Sequence, residues 1–178
     1  PDAGFEPVRD QDQVRAGVLV RLGKYDEAEK SYRAVLAARP GDFQSLLGLA
    51  GIELGRKKYD EASKLYGEAR KIRPLDPRPR LGLAAVKARA GQVADAIKEL
   101  EELDPRARSG NGILALATYY LQANRPADAQ KLVEPIVQRF PTFGQARYLL
   151  GMAYLATSRF DLAVAQFEEL ARQAPDET

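Results

Sequence analysis

Apolar side chains fall at helical spacing along this chain, and the smallest of them recur at a second, longer interval. Ala28, Ala62, Ala96, Ala129 and Ala163 are 34, 34, 33 and 34 residues apart. Ala16, Ala50, Ala84, Ala117 and Gly151 keep the same step. Two series in phase at about 34 residues predict stacked helix-turn-helix units. Residues 143–175 show one unit clearly. Leu150, Gly151 and Tyr154 share one face of a first helix, and Ser158 and Arg159 make the turn. Phe160 and Asp161 open a second helix with Ala163, Phe167 and Leu170 as its inner stripe, and Pro175 stops it. The small residues mark places where two antiparallel helices cross closely, because a larger side chain would hold the axes apart.

The same order predicts that second helices open near Tyr25-Asp26, Tyr59-Asp60, Val93-Ala94, Pro126-Ala127 and Phe160-Asp161. Asp26, Glu27, Asp60, Glu61, Asp95, Asp128 and Asp161 gather in those first turns, where negative charge complements the helix dipole. Pro40, Pro74, Pro141 and Pro175 lie where the second helices stop. In the third unit Leu103-Asp104-Pro105 ends the second helix early. Pro135 falls inside the second helix of the fourth unit, where it removes a hydrogen bond and is expected to kink it.

These features resemble the tetratricopeptide repeat family. The resemblance is carried by Leu49-Ala50, Leu83-Ala84, Leu116-Ala117 and Leu150-Gly151, by Gly23-Lys24-Tyr25-Asp26-Glu27-Ala28, by the aromatic residues Tyr32, Tyr66 and Phe167, and by the terminal prolines. It implies an all-α fold, a right-handed superhelical solenoid of five helix-turn-helix repeats. A single domain is expected over 9–175, with repeats at about 9–42, 43–76, 77–109, 110–143 and 144–175 after a flexible lead-in at 1–8. Leu132-Val133-Glu134-Pro135-Ile136 and residues 145–151 are also similar to repeats of bacterial envelope proteins of exopolysaccharide export and surface-protein sorting. That likeness favours the periplasm over the cytoplasm.

The resemblance further implies a concave surface lined by the first helices. Its groove-facing places are Leu47, Gly48, Gly51 and Leu54 in the second repeat and Leu81, Gly82, Ala85 and Ala88 in the third. The fourth repeat supplies Leu114, Ala115, Thr118 and Leu121, and the fifth Tyr148, Leu149, Met152 and Leu155. Gln44, Arg78, Asn111 and Gln145 form one polar rim, Arg89 and Gln122 the other. The places that would grip a terminal carboxylate hold Gln13, Gly17, Gly48, Arg78 and Gly82, with one cation among them, so a carboxylate clamp is not expected. A small, apolar groove suits an amphipathic helix or an extended hydrophobic segment of another protein. The same residues also suit a solenoid wound tightly enough to bury them against its own helices.

Several residues depart from the pattern. Arg15 stands where later repeats carry leucine, so the first helix is either an exposed end or meets something further. Glu53 and Lys87 occupy the place of Tyr120 and Tyr154, as an ion pair between neighbouring first helices or as two solvated side chains. No polar capping helix follows Val164, Phe167, Leu170 and Ala171. The chain therefore reads as a segment of a longer array or as one that associates with itself through its ends. It starts at Pro1 without a methionine, as a processed or excised chain does, and Phe5 is placed to enter a neighbour's groove.

Composition narrows the chemistry. The net charge of +2 is too small for a dedicated nucleic-acid binder. The clusters Arg70, Lys71, Arg73, Arg78, Arg80 and Arg56-Lys57-Lys58 emerge on opposite edges, with no aromatic stacking platform between them. With no cysteine and no histidine, disulfides, thiolate metal sites and the commonest general base are absent. Glu99, Glu101, Glu102 and Asp104 read as a solvated acidic face, and Ser109-Gly110-Asn111-Gly112 as a helix entry. The apolar stretch from Gly112 to Leu121 is shorter than the roughly 20 residues that cross a bilayer. The expectation is a soluble protein with no cofactor and no catalysis: a binding scaffold for another protein, or a structural spacer in a longer rod.

Overall fold

The computed structural model describes residues 7–104 and 110–173. Among them are ten α-helices and no strand. They are α1 (Pro7–Arg21), α2 (Tyr25–Ala38), α3 (Phe43–Gly55), α4 (Tyr59–Ile72), α5 (Pro77–Arg89), α6 (Val93–Glu101), α7 (Gly110–Gln122), α8 (Pro126–Arg139), α9 (Gly144–Ala156) and α10 (Phe160–Gln173). Every second helix opens at the residue its sequence indicates. Pro40, Pro74 and Pro141 each follow the end of a second helix, whereas Pro105 and Pro175 lie outside the described residues. The helix α8 passes through Pro135 without interruption. Of the expected lead-in, Pro7 and Val8 belong to α1; residues 1–6, with Phe5, lie outside the described residues.

The turn inside each repeat has one geometry. Gly23, Lys57, Gly91, Asn124 and Ser158 are equivalent places, and each has positive φ, between 56° and 83°. Glycine and asparagine adopt this left-handed conformation readily, while Lys57 and Ser158 carry a steric cost there. The following amide then reaches back five residues: Lys24 N to Leu19 O at 2.9 Å, Lys58 N to Glu53 O at 2.9 Å, Arg125 N to Tyr120 O at 2.7 Å and Arg159 N to Tyr154 O at 2.9 Å. This closure satisfies carbonyls left open at the helix end. It also sets a basic residue against the residue five places before it. Between repeats, Asp42 and Asp76 cap α3 and α5 by accepting from Ser45 N (2.9 Å) and Arg78 N (3.0 Å).

The chain forms two compact units, Pro1–Gly91 and Gln92–Thr178, so that the boundary falls between the two helices of the third repeat. In the first unit α1 to α5 pack in succession, and α1 and α5 also touch α3. Its core is built on Leu46, Leu49, Leu65 and the fully buried Ala16, Ala28, Ala50, Ala62 and Ala84. In the second, α6 to α10 pack in succession over Leu100, Leu116, Val133 and Leu150, with Ala96, Ala117 and Ala129 fully buried. The alanine lattice of the sequence is thus the set of helix contacts.

A charged cluster ties the first repeat to the second. Arg56 at the end of α3 donates to Asp26 and Glu29 of α2, and Arg33 Nε donates to Glu29 at 2.7 Å. The Arg56 hydrogen bond, followed by that of Arg33, lowers the Glu29 carboxyl from 4.5 to about 2. A carboxyl depressed on folding stabilises the protein fully above its ordinary pKa and loses that contribution as pH falls through the folded value. Melting temperature between pH 4.5 and about 2 is therefore expected to fall more steeply in the parent than in Glu29→Gln. Equal slopes in the two proteins would remove Glu29 from the acid response.

Candidate partner-binding surface

In the first unit the expected groove is largely filled by the protein itself. A Cβ on Gly48 would lie 2.3 Å from the Tyr32 ring, and one on Gly82 would lie 2.3 Å from the Tyr66 ring. Each glycine is thus the seat for an aromatic ring of the preceding second helix. Leu54 is buried, at 8 % exposure, and its side chain belongs to the core. Leu47 and Ala85 are half-buried against the same core, and Leu81 and Ala88 are half-buried. Gly51 is exposed.

Arg78 on the rim is already engaged. Its guanidinium donates to Asp76 at 2.8 and 3.0 Å and to Gln44 at 3.4 Å, which holds the Asp76 carboxyl below its usual range. The ring of buried Phe43 lies under both Arg73, at 4.5 Å, and Arg78, at 5.0 Å. An aromatic ring thus lies within this basic cluster. It is an internal seat for the two guanidiniums, and its burial keeps it from stacking on a ligand.

The second unit is more open. Leu114 is buried at 2 % exposure, so it joins Leu54 as a groove place lost to the core. Thr118 is half-buried and its hydroxyl donates to Leu114 O at 2.8 Å; Leu121 is half-buried and Asn111 exposed. On α9, Tyr148 and Leu155 are 48 % and 44 % exposed, with Met152 half-buried between them and Gln145 exposed one turn earlier. Spacings of four and three residues place Tyr148, Met152 and Leu155 on one helical stripe. The Tyr148 ring leans on Phe167, with centroids 6.1 Å apart and planes at 55°.

Polar contacts at the repeat junctions follow a rule that the sequence reading missed. The Tyr120 hydroxyl donates to Glu101 at 2.7 Å, and Arg125 lies over its ring at 4.4 Å. Tyr154 repeats this with Glu134 at 3.0 Å and Arg159 at 4.5 Å. Burial and the Glu101 hydrogen bond push the Tyr120 phenol up to about 12. At the equivalent place Glu53 is fully buried, with Arg33 at 3.3 Å, Lys58 at 3.1 Å and Arg56 at 3.8 Å. Neither reading offered for Glu53, a pair with Lys87 or a solvated side chain, describes it. The acidic face also needs correction: Glu99 is buried at 6 % exposure and Glu101 is engaged by Tyr120 and Arg125. The missed signal was the spacing, since Arg33, Glu101 and Glu134 each lie 19 or 20 residues before their partner.

A cleft of about 320 Å³ in the first unit is lined by residues of α2, α3 and α4, among them Arg33, Leu36, Leu46 and Leu65, and includes none of the groove places. Among the described residues no helix is long and apolar enough to cross a membrane.

The structure is similar to that of MamA from Desulfovibrio magneticus RS-1 (15% identity, TM-score 0.79, covering 96% of this chain and 97% of that one). It is also similar to TTC0263, a thermophilic TPR protein of Thermus thermophilus (20%, 0.74, 96% and 93%). A third is YrrB, described as a TPR protein with an unusual peptide-binding site (15%, 0.68, 93% and 86%). At these identities the likeness is one of fold. No curated protein sequence matches the chain. One tetratricopeptide repeat pattern matches residues 15–77 and 114–178, and a second matches 53–118, across the boundary between the two units. With the ten helices of its described residues, its alanine lattice and these matches over most of its length, the chain belongs to the tetratricopeptide repeat family.

Proposed function

We propose that this chain is a protein-protein interaction scaffold whose binding face is the exposed stripe of α9. The observation that carries the proposal is the exposure of Tyr148 and Leu155 around Met152, an ordered apolar strip within a well-packed helix. Such a strip fits the apolar side of an amphipathic helix or an extended hydrophobic segment, with Gln145 as a polar edge. Tetratricopeptide repeats commonly mediate contacts between proteins, and the YrrB description shows that the fold can hold a peptide. Assembly at a bacterial envelope is the setting we favour, on the likeness of residues 132–136 and 145–151. Leu47, Gly51, Leu81, Ala85 and Ala88 offer less surface and form a secondary part of the proposal.

A displayed library of amphipathic and extended apolar peptides tests the reading. The parent is expected to enrich binders that Met152→Asp no longer retains, while the variant keeps a near-parental melting temperature. A large loss of stability would place Met152 in the core. No enrichment would favour the second reading, a structural spacer with no ligand of its own. The filled groove of the first unit supports that alternative, because Tyr32 and Tyr66 already occupy it.

A further inference from the structure

Three turns between repeats share one geometry and differ in what they hold outward. After α2, α4 and α8 the chain runs Arg39-Pro40-Gly41-Asp42, Arg73-Pro74-Leu75-Asp76 and Phe140-Pro141-Thr142-Phe143. In each, the amide of the fourth residue donates to the carbonyl of the first, at 3.0, 3.1 and 3.0 Å. The third place holds glycine, leucine or threonine on the same backbone turn, so the turn itself requires no apolar side chain there. Yet Leu75 is 93 % exposed, more than any other large hydrophobic residue among those described, and Ile72 near it is 43 % exposed. The turn that carries it is tied down. Asp76 caps α5 and holds the Arg78 guanidinium, Arg73 and Arg78 rest on the Phe43 ring, and Pro74 and Pro77 restrict the backbone on either side.

Positive charge gathers at this turn and at neither of the other two. Residues 70–80 hold five cations and one carboxylate, a larger positive surplus than that of the whole chain. Of the five equivalent places, the first turn keeps a cation only at Arg39 and the last only at Arg147, which is buried. Lys71, Arg73 and Arg78 are exposed. The extra leucine and the extra cations thus coincide at one turn of the first unit.

We propose that this turn docks on the surface of an anionic lipid bilayer, Leu75 entering the interface while Lys71, Arg73 and Arg78 meet the lipid phosphates. Two features select that occupant. The local charge is complementary to an anionic headgroup layer, which attracts cations held close to it. The apolar group is a protruding side chain, not a groove. It offers an extended peptide no walls, but it can enter a fluid interface. The long stems of lysine and arginine let their charged heads stay in the polar layer while the leucine goes deeper. The contact is peripheral, and the proposal does not depend on the α9 binding face.

The chain has no tryptophan, so Leu75→Trp places a single fluorescent reporter at the tip. With vesicles of equal parts phosphatidylglycerol and phosphatidylcholine, its emission is expected to shift to the blue. With pure phosphatidylcholine vesicles it is expected to stay as in buffer, and added salt should reduce the shift. Tyr25→Trp, at an exposed place in the turn inside the first repeat, is expected to show no shift with either. Co-sedimentation with the anionic vesicles should weaken about tenfold in Leu75→Gly, which copies the first turn. It should weaken at least about fivefold in Lys71→Glu. Both changes lie on the surface, and near-parental melting temperatures are expected. A parent that does not sediment with the anionic vesicles would overturn the proposal, and so would binding that either variant leaves unchanged. Equal shifts in Leu75→Trp and Tyr25→Trp would mean general adsorption and also overturn it. A Leu75→Trp shift produced as well by polyglutamate in solution would make the partner an acidic protein, with the same consequence.

Discussion

Replacing Gly48 with leucine is expected to destabilise the protein by about 3 kcal/mol, the upper part of the range for overpacking a core. The added Cβ would fall 2.3 Å from Cζ of Tyr32, well inside contact distance, before the rest of the side chain is placed. Tyr32 has little room to retreat, being 7 % exposed between α2 and α3. The second unit shows how the same junction is built without a ring: Val133 and Leu149 stand at the equivalent places, both buried in the α8–α9 contact. Copying that solution should repair the damage. Chemical denaturation of Gly48→Leu, Tyr32→Val and the double variant is therefore expected to show strong coupling, the double being more stable than Gly48→Leu alone. Additive losses would mean that Tyr32 and Gly48 are not a packed pair. Gly82 with Tyr66 is the second instance of the same geometry and should respond alike.

That pairing explains which parts of the protein were legible in the sequence. Helix starts such as Tyr25, Tyr59 and Pro126 depend on local signals, the turn, the acidic first turn and the alanine step, and the structure places them where those signals stand. Gly48 and Gly82 depend on a residue 16 places earlier in another helix. A small residue in a groove position looks like open space until the ring that covers it is identified. Leu54 and Leu114 are buried for a related reason: whether such a residue faces solvent or a neighbouring helix depends on packing between helices that one repeat does not encode. Tyr148 and Leu155 stay exposed although α9 is packed by α8 and α10 and reached by α7, which local helix signals do not decide. Glu53 was set against Lys87 because both occupy the same place in adjacent repeats, whereas the structure joins that place to the preceding second helix and to the turn that follows.

Removing the cations around Glu53 is expected to cost more than removing Glu53 itself. The carboxylate is fully buried; Arg33 and Lys58 have side chains 50 % and 56 % exposed, and Arg56 is also held by Asp26 and Glu29. The Lys58 ammonium lies 3.1 Å from Oε2, yet that oxygen accepts no hydrogen bond, so electrostatic attraction is what compensates its burial there. With Glu53→Leu, the cations can return to water and an apolar side chain fills the α2–α3 contact, a replacement that is often neutral or stabilising. With Arg33→Ala and Lys58→Ala together, the buried charge keeps only Arg56 at 3.8 Å, and the loss should approach the roughly 3–5 kcal/mol of a broken buried pair. Adding Glu53→Leu to that double variant is then expected to recover most of the stability. The recovery is the decisive measurement, because it separates an orphaned charge from the packing lost with the two long side chains. If the triple variant is no more stable than the double, the cluster acts through the aliphatic stems of Arg33 and Lys58. A full recovery would make the buried carboxylate the reason those two cations stand at the first repeat junction.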